Sequence, residues 1–486
     1  MTLKNIKFHS CKKALLFLVF AILTGSIISF KTYSQNIPEL PSNNELLQNG
    51  YLDVTLLGAD PTGKEISTAA IRKAVKFARD YQLVCYFPSG TYLVDDTIRV
   101  MKHSYLRNGV WATSREAVQI VGCPEKRPLI KLVPGAKNFQ DPENPMPVFW
   151  IYAMSAWGQQ PDCEGSKDPL CGQSNVNFNQ SVKGMNFDLG RNPGAFAIRL
   201  PGAQGATIED IDIDARGAFA GLYNPTGQAG GNYNINIEGG KYAVYQSRVK
   251  RRYQSRYTIF SGCTFKNQEV AVIHVDLRHP MLFVGFHIIQ EQGPINISMP
   301  LDGLTMVDGI IEIGAGNLLE TTGKSVYMEN VYIKGAREVA YGSKIEDTGS
   351  WTLINEYAYC SPEDSKNMIN GQLNNSSTMD KVEGLDIDSE KMFMKFYSRH
   401  CWDERTFPDF MDPEVVNVKD PVKMKGNPAK GDGISDDSKA LEFAIANYDK
   451  VFLPKGNYVI SKTLRLKENT QLFGMSRTLS IIRIGD

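Results

Sequence analysis

The chain has 486 residues, enough for two domains, and 42% of them are hydrophobic, ample for a core. Lysine plus arginine equals aspartate plus glutamate at 53 each, so the formal charge is zero. That balance argues against nucleic acid as a general partner.

Met1 to Ser34 reads as a secretory signal. Lys4, Lys7, Lys12 and Lys13 precede the apolar run Ala14 to Ile28, and Thr32 and Ser34 are small residues placed for cleavage before Gln35. The run is shorter than the ~20 residues a membrane span needs. The expected mature protein is secreted or periplasmic, with no membrane partner after cleavage. Seven cysteines follow Cys11. Cys163 and Cys171 flank a polar loop and could close a local disulfide after export. Cys360 and Cys401 form a weaker pair. Cys85, Cys123 and Cys263 lie in apolar settings as buried thiols. Cysteine and histidine spacing gives no metal-site signature.

Residues 35–52 read as a linker. Gly58 to Val100 then runs as loop, amphipathic helix, strand, turn and alternating strand, and Gly426 to Leu466 repeats the order. Pro88, Gly90 and Tyr92 recur as Pro454, Gly456 and Tyr458. Thr97-Ile98-Arg99-Val100 recurs as Thr463-Leu464-Arg465-Leu466. The offset is 366 residues throughout these matches. In the second copy a Gly431-Asp432-Gly433 loop and Asp436-Asp437 precede the helix. The first copy has Thr62-Gly63-Lys64-Glu65 and Thr68-Ala69 in their place.

Val118 to Val133 reads as a first coil, and Asp141 to Gly172, with Trp150, Tyr152 and Trp157, as a long irregular insertion. From Val182 to Gly335 short alternating strands recur. Their apolar markers Phe187, Ile213, Ile237, Phe265, Ile289, Ile313 and Ile333 are 26, 24, 28, 24, 24 and 20 residues apart. Repeats of this length mean stacked supersecondary units. The expected fold is all-β: a right-handed parallel β-helix with a short capping helix over 53–350, a connector over 351–422, and the start of a second β-helix over 423–486. A second unit matching the first would need roughly three hundred further residues, so the sequence reads as a fragment or a shortened chain.

The paired cap signature, Gly-Asp-Gly, Asp436-Asp437, helix, Phe-Leu-Pro-x-Gly-x-Tyr, resembles the N-terminal cap of pectate-lyase-superfamily β-helices. Two such caps in one chain are similar to glycoside hydrolase family 55, the tandem β-helix exo-β-1,3-glucanases. The resemblance implies a polysaccharide substrate, an inverting hydrolysis through a positioned water, no cofactor, and a general acid beyond Asp486. It also implies that the first β-helix holds the water with polar groups. Gln254 is the match for that role, and Arg256 departs from the expected amide.

Three further constellations carry chemistry. Thr207 to Arg216 is the densest acidic strand. Simple alternation turns Asp210, Asp212 and Asp214 to one side, about 7 Å apart, and Ile211 and Ile213 to the other. Such a row could bind Ca²⁺ or hold a carboxylic acid, and a solvated coil face explains it as well. Arg248, Lys250, Arg251, Arg252 and Arg256, interleaved with Tyr245, Tyr253 and Tyr257, suit uronate or sulfate groups, or a solvated loop. His274, Asp276 and Arg278 share one strand face, either as a sugar site or as a structural ladder.

Three functions stay open: a glycosidase acting on a polysaccharide such as β-1,3-glucan, a polyuronate lyase with Ca²⁺ or arginine neutralising charge, and a non-catalytic polysaccharide-binding β-helix. A monomer is expected, with no nucleic-acid partner.

Overall fold

The computed structural model describes residues 40–485 apart from 42–43, 103, 108–109, 114–116, 154–175, 248–256, 276–279, 292–296, 300–302, 322–324, 341–342, 362–364, 376 and 403–408. The chain divides into two units, Met1–Pro41 and Ser42–Asp486, and only Leu40 and Pro41 of the first are described. The signal segment, Trp157 and the Cys163–Cys171 pair therefore lie outside the described residues.

The second unit is a right-handed parallel β-helix. The chain alternates between two sheets and adds one strand to each per coil. The larger sheet stacks Tyr51–Asp53, Val84–Phe87, Gln119–Gly122, Ser181–Asp188, Thr207–Asp214 and Gly231–Glu238, then continues through Met281–Gln290, Leu304–Asn317 and Ser325–Glu338. The smaller runs from Ile98–Met101 through Met146–Tyr152, Ala195–Arg199, Ala220–Tyr223, Tyr242–Gln246 and Ala271–Val275 to Leu319–Thr321. Their inner faces enclose an apolar core in which rings meet, such as Phe149 on Phe187 at 5.3 Å and Phe260 on Phe283 at 5.1 Å.

Each long strand of the larger sheet is broken at one height by a residue with left-handed backbone. These are Gly184, Asp210, Asn234, Gly262, Gly285, Asp308 and Asn330, with φ between 49° and 68°. Only Gly, Asn and Asp occupy the row, the types that tolerate this region best. The kink resets the two-residue alternation, so that Ile208 and Ile211, three apart, both point inward. The register also re-phases two core markers. Phe187, Ile213, Ile237 and Phe265 pair in line, but the next core residues are Ile288 and Ile311, then Ile333. Ile289 instead pairs with Lys266 and Glu312.

Two other expectations change. Trp150 and Tyr152, read as part of an irregular insertion, lie on the Met146–Tyr152 strand and are buried. Cys360 and Cys401 are both free thiols, as are Cys85, Cys123 and Cys263, which are buried. Where the coil period is lost, Trp351–Cys360 and Ser377–Leu385 extend the larger sheet as antiparallel strands. The connector helix Ser389–His400 then crosses back over that sheet's outer face, capped by the Asp388 carboxylate on the Lys391 amide.

The two caps share one local design. In the Pro-x-Gly-x-Tyr turn the tyrosine is fully buried and its hydroxyl donates to the proline carbonyl, Tyr92 to Pro88 at 3.0 Å and Tyr458 to Pro454 at 2.8 Å. Gly90 has φ of 155°, and a Cβ there would lie 2.5 Å from the Pro61 carbonyl. Strand pairing equates Thr91 with Asn457, preserving the 366-residue offset, but equates Thr62 with Asp432, an offset of 370. The difference is absorbed in the helices, 14 residues in Thr68–Tyr81 and 10 in Ser438–Asn447. The structural counterparts of Asp436-Asp437 are thus Ile66-Ser67. The second cap packs on the first coil through Tyr51 on Phe410 at 4.3 Å and Phe410 on Phe452 at 5.5 Å. Lys455 also donates to the Tyr81 carbonyl at 2.9 Å.

Removing the tyrosine hydroxyl leaves a turn carbonyl without that donor. Tyr92→Phe is expected to cost about 1 kcal/mol, measured from urea unfolding midpoints. Tyr458→Phe should cost less, because Ser480 Oγ also reaches the Pro454 carbonyl at 3.4 Å. Equal losses would contradict this account of the motif.

Candidate functional site

The kinks leave two outward residues after each break in the larger sheet, and parallel pairing stacks them into rows. One row runs Leu129, Asn186, Asp212, Asn236, Thr264. The next runs Lys131, Asp188, Asp214, Glu238, Lys266. Neighbours within a row are one strand spacing apart, about 4.8 Å, and the rows are about 6.7 Å apart along each strand. Apart from Lys131, these residues line an open cleft of about 500 Å³.

The outward side chains along the cleft are mostly polar and are tied to one another. Asp212 accepts from Asn236 Nδ2 at 2.7 Å and from Arg127 at 3.2 Å. Lys131 pairs with Asp188 at 3.4 Å. Arg216 donates from Nε to Asp214 at 2.8 Å and holds that carboxyl below the usual carboxylate range. Glu238 has no ion pair among the described residues. No group of His, Cys, Asp and Glu side chains among the described residues is arranged to hold a metal ion.

The three aspartates singled out by alternation do not form one face. Asp210 occupies the left-handed kink and is 7% exposed. It accepts from Asn234 Nδ2 at 2.8 Å and lies 3.6 Å from Lys183 and 4.0 Å from Arg127. Asp212 and Asp214 face the cleft. His274 is on the other sheet, stacked on Tyr245 at 4.7 Å in line with Tyr223, and does not join them. Gln254, Arg256, Asp276 and Arg278 lie outside the described residues, as do Arg248, Lys250, Arg251 and Arg252. Asp188 and Glu238 were missed as site residues. Their signal was present in Asn186-Phe187-Asp188 and Asn236-Ile237-Glu238, one coil either side of Asp212-Ile213-Asp214, with an Asn or Asp two positions before each carboxylate.

Beyond Lys266 the same outer face is covered by the connector helix. Phe393 meets His287 at 5.2 Å, and Phe396 meets Tyr332 at 6.1 Å. Burial pushes the His287 imidazole down, against Glu390 and Glu312. The helix end is clasped to the kink row. His400 Nε2 lies 2.8 Å from Asp308 Oδ2, and Arg399 lies 3.3 Å from the same oxygen. Asn330 also donates to Asp308. Burial pushes the Asp308 carboxyl up, but His400, Asn330 and Arg399 outweigh it and hold the group below its usual value.

A carboxyl depressed in this way stabilises the fold above its unfolded pKa, about 3.9, and loses that contribution as pH falls through the folded value. Asp308→Asn keeps the kink, since Asn330 fills the same backbone site one coil on. The urea midpoint of the native chain should exceed that of D308N near pH 6, and the gap should shrink as pH falls below about 4. A gap independent of pH would show that the clasp is not electrostatic.

The family model described as rhamnogalacturonase A/epimerase, pectate lyase-like, matches residues 51–288 and 416–485. The protein named non-secreted LysM effector LysM19, from Penicillium expansum, is 26% identical over 327 residues, 62% of this chain and 25% of that protein. The preneck appendage protein of Bacillus phage PZA is 34% identical over 86 residues, 18% of this chain and 10% of that protein. The chain thus spans a quarter or less of these relatives' length. Among solved structures, Pantoea stewartii WceF, described as a glycan biofilm modifying enzyme with a tailspike-like parallel β-helix, aligns with a TM-score of 0.38 at 12% identity. That alignment covers 70% of this chain and 44% of that one. The two matched blocks contain the two caps and make up more than half of the sequence: the chain belongs to the rhamnogalacturonase A/epimerase, pectate-lyase-like family.

Proposed function

We propose that this protein is an exported polysaccharide-acting enzyme that hydrolyses glycosidic bonds in the cleft of the larger sheet. The observation that carries the reading is the pair of outward rows, which bring Asp188, Asp212, Asp214 and Glu238 into one open channel along the stack. A linear glycan laid along the rungs meets a carboxyl at each step.

Inverting hydrolysis needs an acid and a base about 6.5–9.5 Å apart, with a water between base and sugar. Asp212 and Glu238 sit on adjacent strands and in different rows, which places their backbones about 8 Å apart. Asp212 is oriented by Asn236 and Arg127 and takes the role of base. Glu238, free of ion pairs among the described residues, protonates the leaving oxygen. Asp214, kept anionic by Arg216, stands beside Glu238 in the same row and stabilises positive charge developing on the sugar ring. Both proton-transfer groups are protein carboxyls, so the reading requires no cofactor. The family 55 resemblance makes β-1,3-glucan one substrate to try, and the family description makes a galacturonate-containing polymer the other.

A second reading, a non-catalytic glycan-binding β-helix, draws on the pairing of Asp188, Asp212 and Asp214 with Lys131, Arg127 and Arg216. Turnover separates the two. The native chain should release reducing sugar from one of these polymers, and Asp212→Asn and Glu238→Gln should each lower kcat by roughly a hundredfold or more. Proton NMR of the first product should show inverted anomeric configuration. Retention would sink the Asp212–Glu238 pair, an unsaturated uronate product would indicate a lyase, and binding without product would favour the second reading.

A further inference from the structure

We propose that the cleft between the first cap helix and the start of the smaller sheet is a binding site for an anionic sugar chain, one bearing carboxylate or sulfate groups. The cleft encloses about 550 Å³ and is far from neutral. Five cationic side chains line it, Arg72, Lys73, Lys76 and Arg79 from the helix Thr68–Tyr81 and Arg99 from the strand Ile98–Met101, against a single carboxylate, Asp96. In a chain with no net charge this is local segregation.

The geometry holds part of the cluster rigidly and leaves part available. Arg72 is pinned by Asp96 at 2.7 Å and by the Thr97 carbonyl at 2.9 Å. The Arg99 guanidinium lies over the indole of the buried Trp150, 4.5 Å from the ring centre. Arg79 is held by its neighbour Asp80 at 2.7 Å. Lys73 and Lys76 are exposed and have no carboxylate partner among the described residues. Arg72 and Lys76 are four apart on the helix, and Lys73 and Lys76, like Lys76 and Arg79, are three apart. Like charges at these spacings destabilise a helix; Asp96 and Asp80 offset Arg72 and Arg79, which leaves Lys73 and Lys76 uncompensated.

The second cap supplies an internal control. Its helix keeps the buried positions, Leu441, Ala444 and Ile445 standing where the first has Ile71, Ala74 and Val75. Where the first helix carries Arg72, Lys73 and Lys76, the second-cap counterparts are Glu442, Phe443 and Ala446, and the shorter second helix ends at Asn447, before a position equivalent to Arg79. The cap fold therefore does not require the cations. Formal charge and a fixed arginine pair suit carboxylate and sulfate oxygens, and the wall lies on the sheet opposite the catalytic cleft. The choice of a sugar chain as the bearer of those anions rests on the polysaccharide reading above.

Hexagalacturonate and the neutral laminarihexaose are the probes, with binding read by titration calorimetry on the full chain. Hexagalacturonate should bind, more weakly as salt is raised, and K73E/K76E should bind it roughly tenfold less tightly. K73Q/K76Q should fall between, with unfolding midpoints confirming that both variants fold. Three results would overturn the site: laminarihexaose binding weakened as much as hexagalacturonate binding by K73E/K76E, unchanged hexagalacturonate affinity in K73E/K76E, or equal competition by a DNA duplex, which marks a mere polyanion patch. A chain that binds hexagalacturonate at Lys73 and Lys76 yet hydrolyses no polymer supports this site and defeats the hydrolase reading. A chain that hydrolyses a neutral glucan and binds no hexagalacturonate does the reverse.

Discussion

One left-handed residue per coil sets the phase of this structure. Parallel strands can be hydrogen-bonded rung to rung only if every coil breaks at the same height, because a bulge in one strand alone would throw its neighbours out of register. The row from Gly184 to Asn330 keeps that height through seven coils. It decides which residues beyond the break face the core and which face solvent. The cleft is a direct product: Asn186, Asp212 and Asn236 line up because Gly184, Asp210 and Asn234 each turn their strand at the same step.

The outer face so created has two uses. Toward the first cap it is open, polar and crowded with carboxylates. Toward the antiparallel strands it becomes apolar, with Ile310 and Tyr332 in the same outward row, and the connector helix lies on it through Phe393 and Phe396. Polar and apolar stretches of one continuous row thus separate a surface left to a ligand from a surface covered by the chain itself. The smaller sheet is different again: its outward row at Arg99, Trp150, Arg199, Tyr223, Tyr245 and His274 is a stack of rings and guanidinium groups.

Much of this was legible in the residues. The Pro-x-Gly-x-Tyr turns and the shared tetrapeptides identify two caps, because each motif residue answers to a local requirement: a tyrosine closing on its own turn, a glycine where a Cβ would strike Pro61. The coils were legible as a period near 24 residues. Phase within a coil was not. Two-residue alternation carries Asp210 onto the face of Asp212, and only a kink of left-handed backbone, for which Asp is a permitted but uncommon sign, moves it away. Ile289 failed as a marker because it is an apolar residue beside the true core position Ile288, and Ile313 because it is buried two residues beyond the residue in register, Ile311. Trp150 and Tyr152 were lost in a proline- and aspartate-rich setting whose local composition outweighs a seven-residue strand. The cleft needed residues from three coils at once, and sequence order separates Asp188 from Glu238 by fifty positions that register brings within two rungs.

Solenoids ordinarily gain and lose whole coils with little penalty, since each coil touches only its neighbours. The connector helix removes that freedom here. Its end meets Gly262 through Cys401 and Gly285 through His400, while Asp308 takes His400 and Arg399 and Tyr332 takes Phe396. Those contacts fall on four successive coils, and a rigid helix spans them at once. Inserting one coil among them would shift half of the contacts by a full strand spacing, about 4.8 Å, beyond the reach of side chains that already touch. The helix therefore acts as a ruler laid across the stack, and it fixes the number of coils in that stretch.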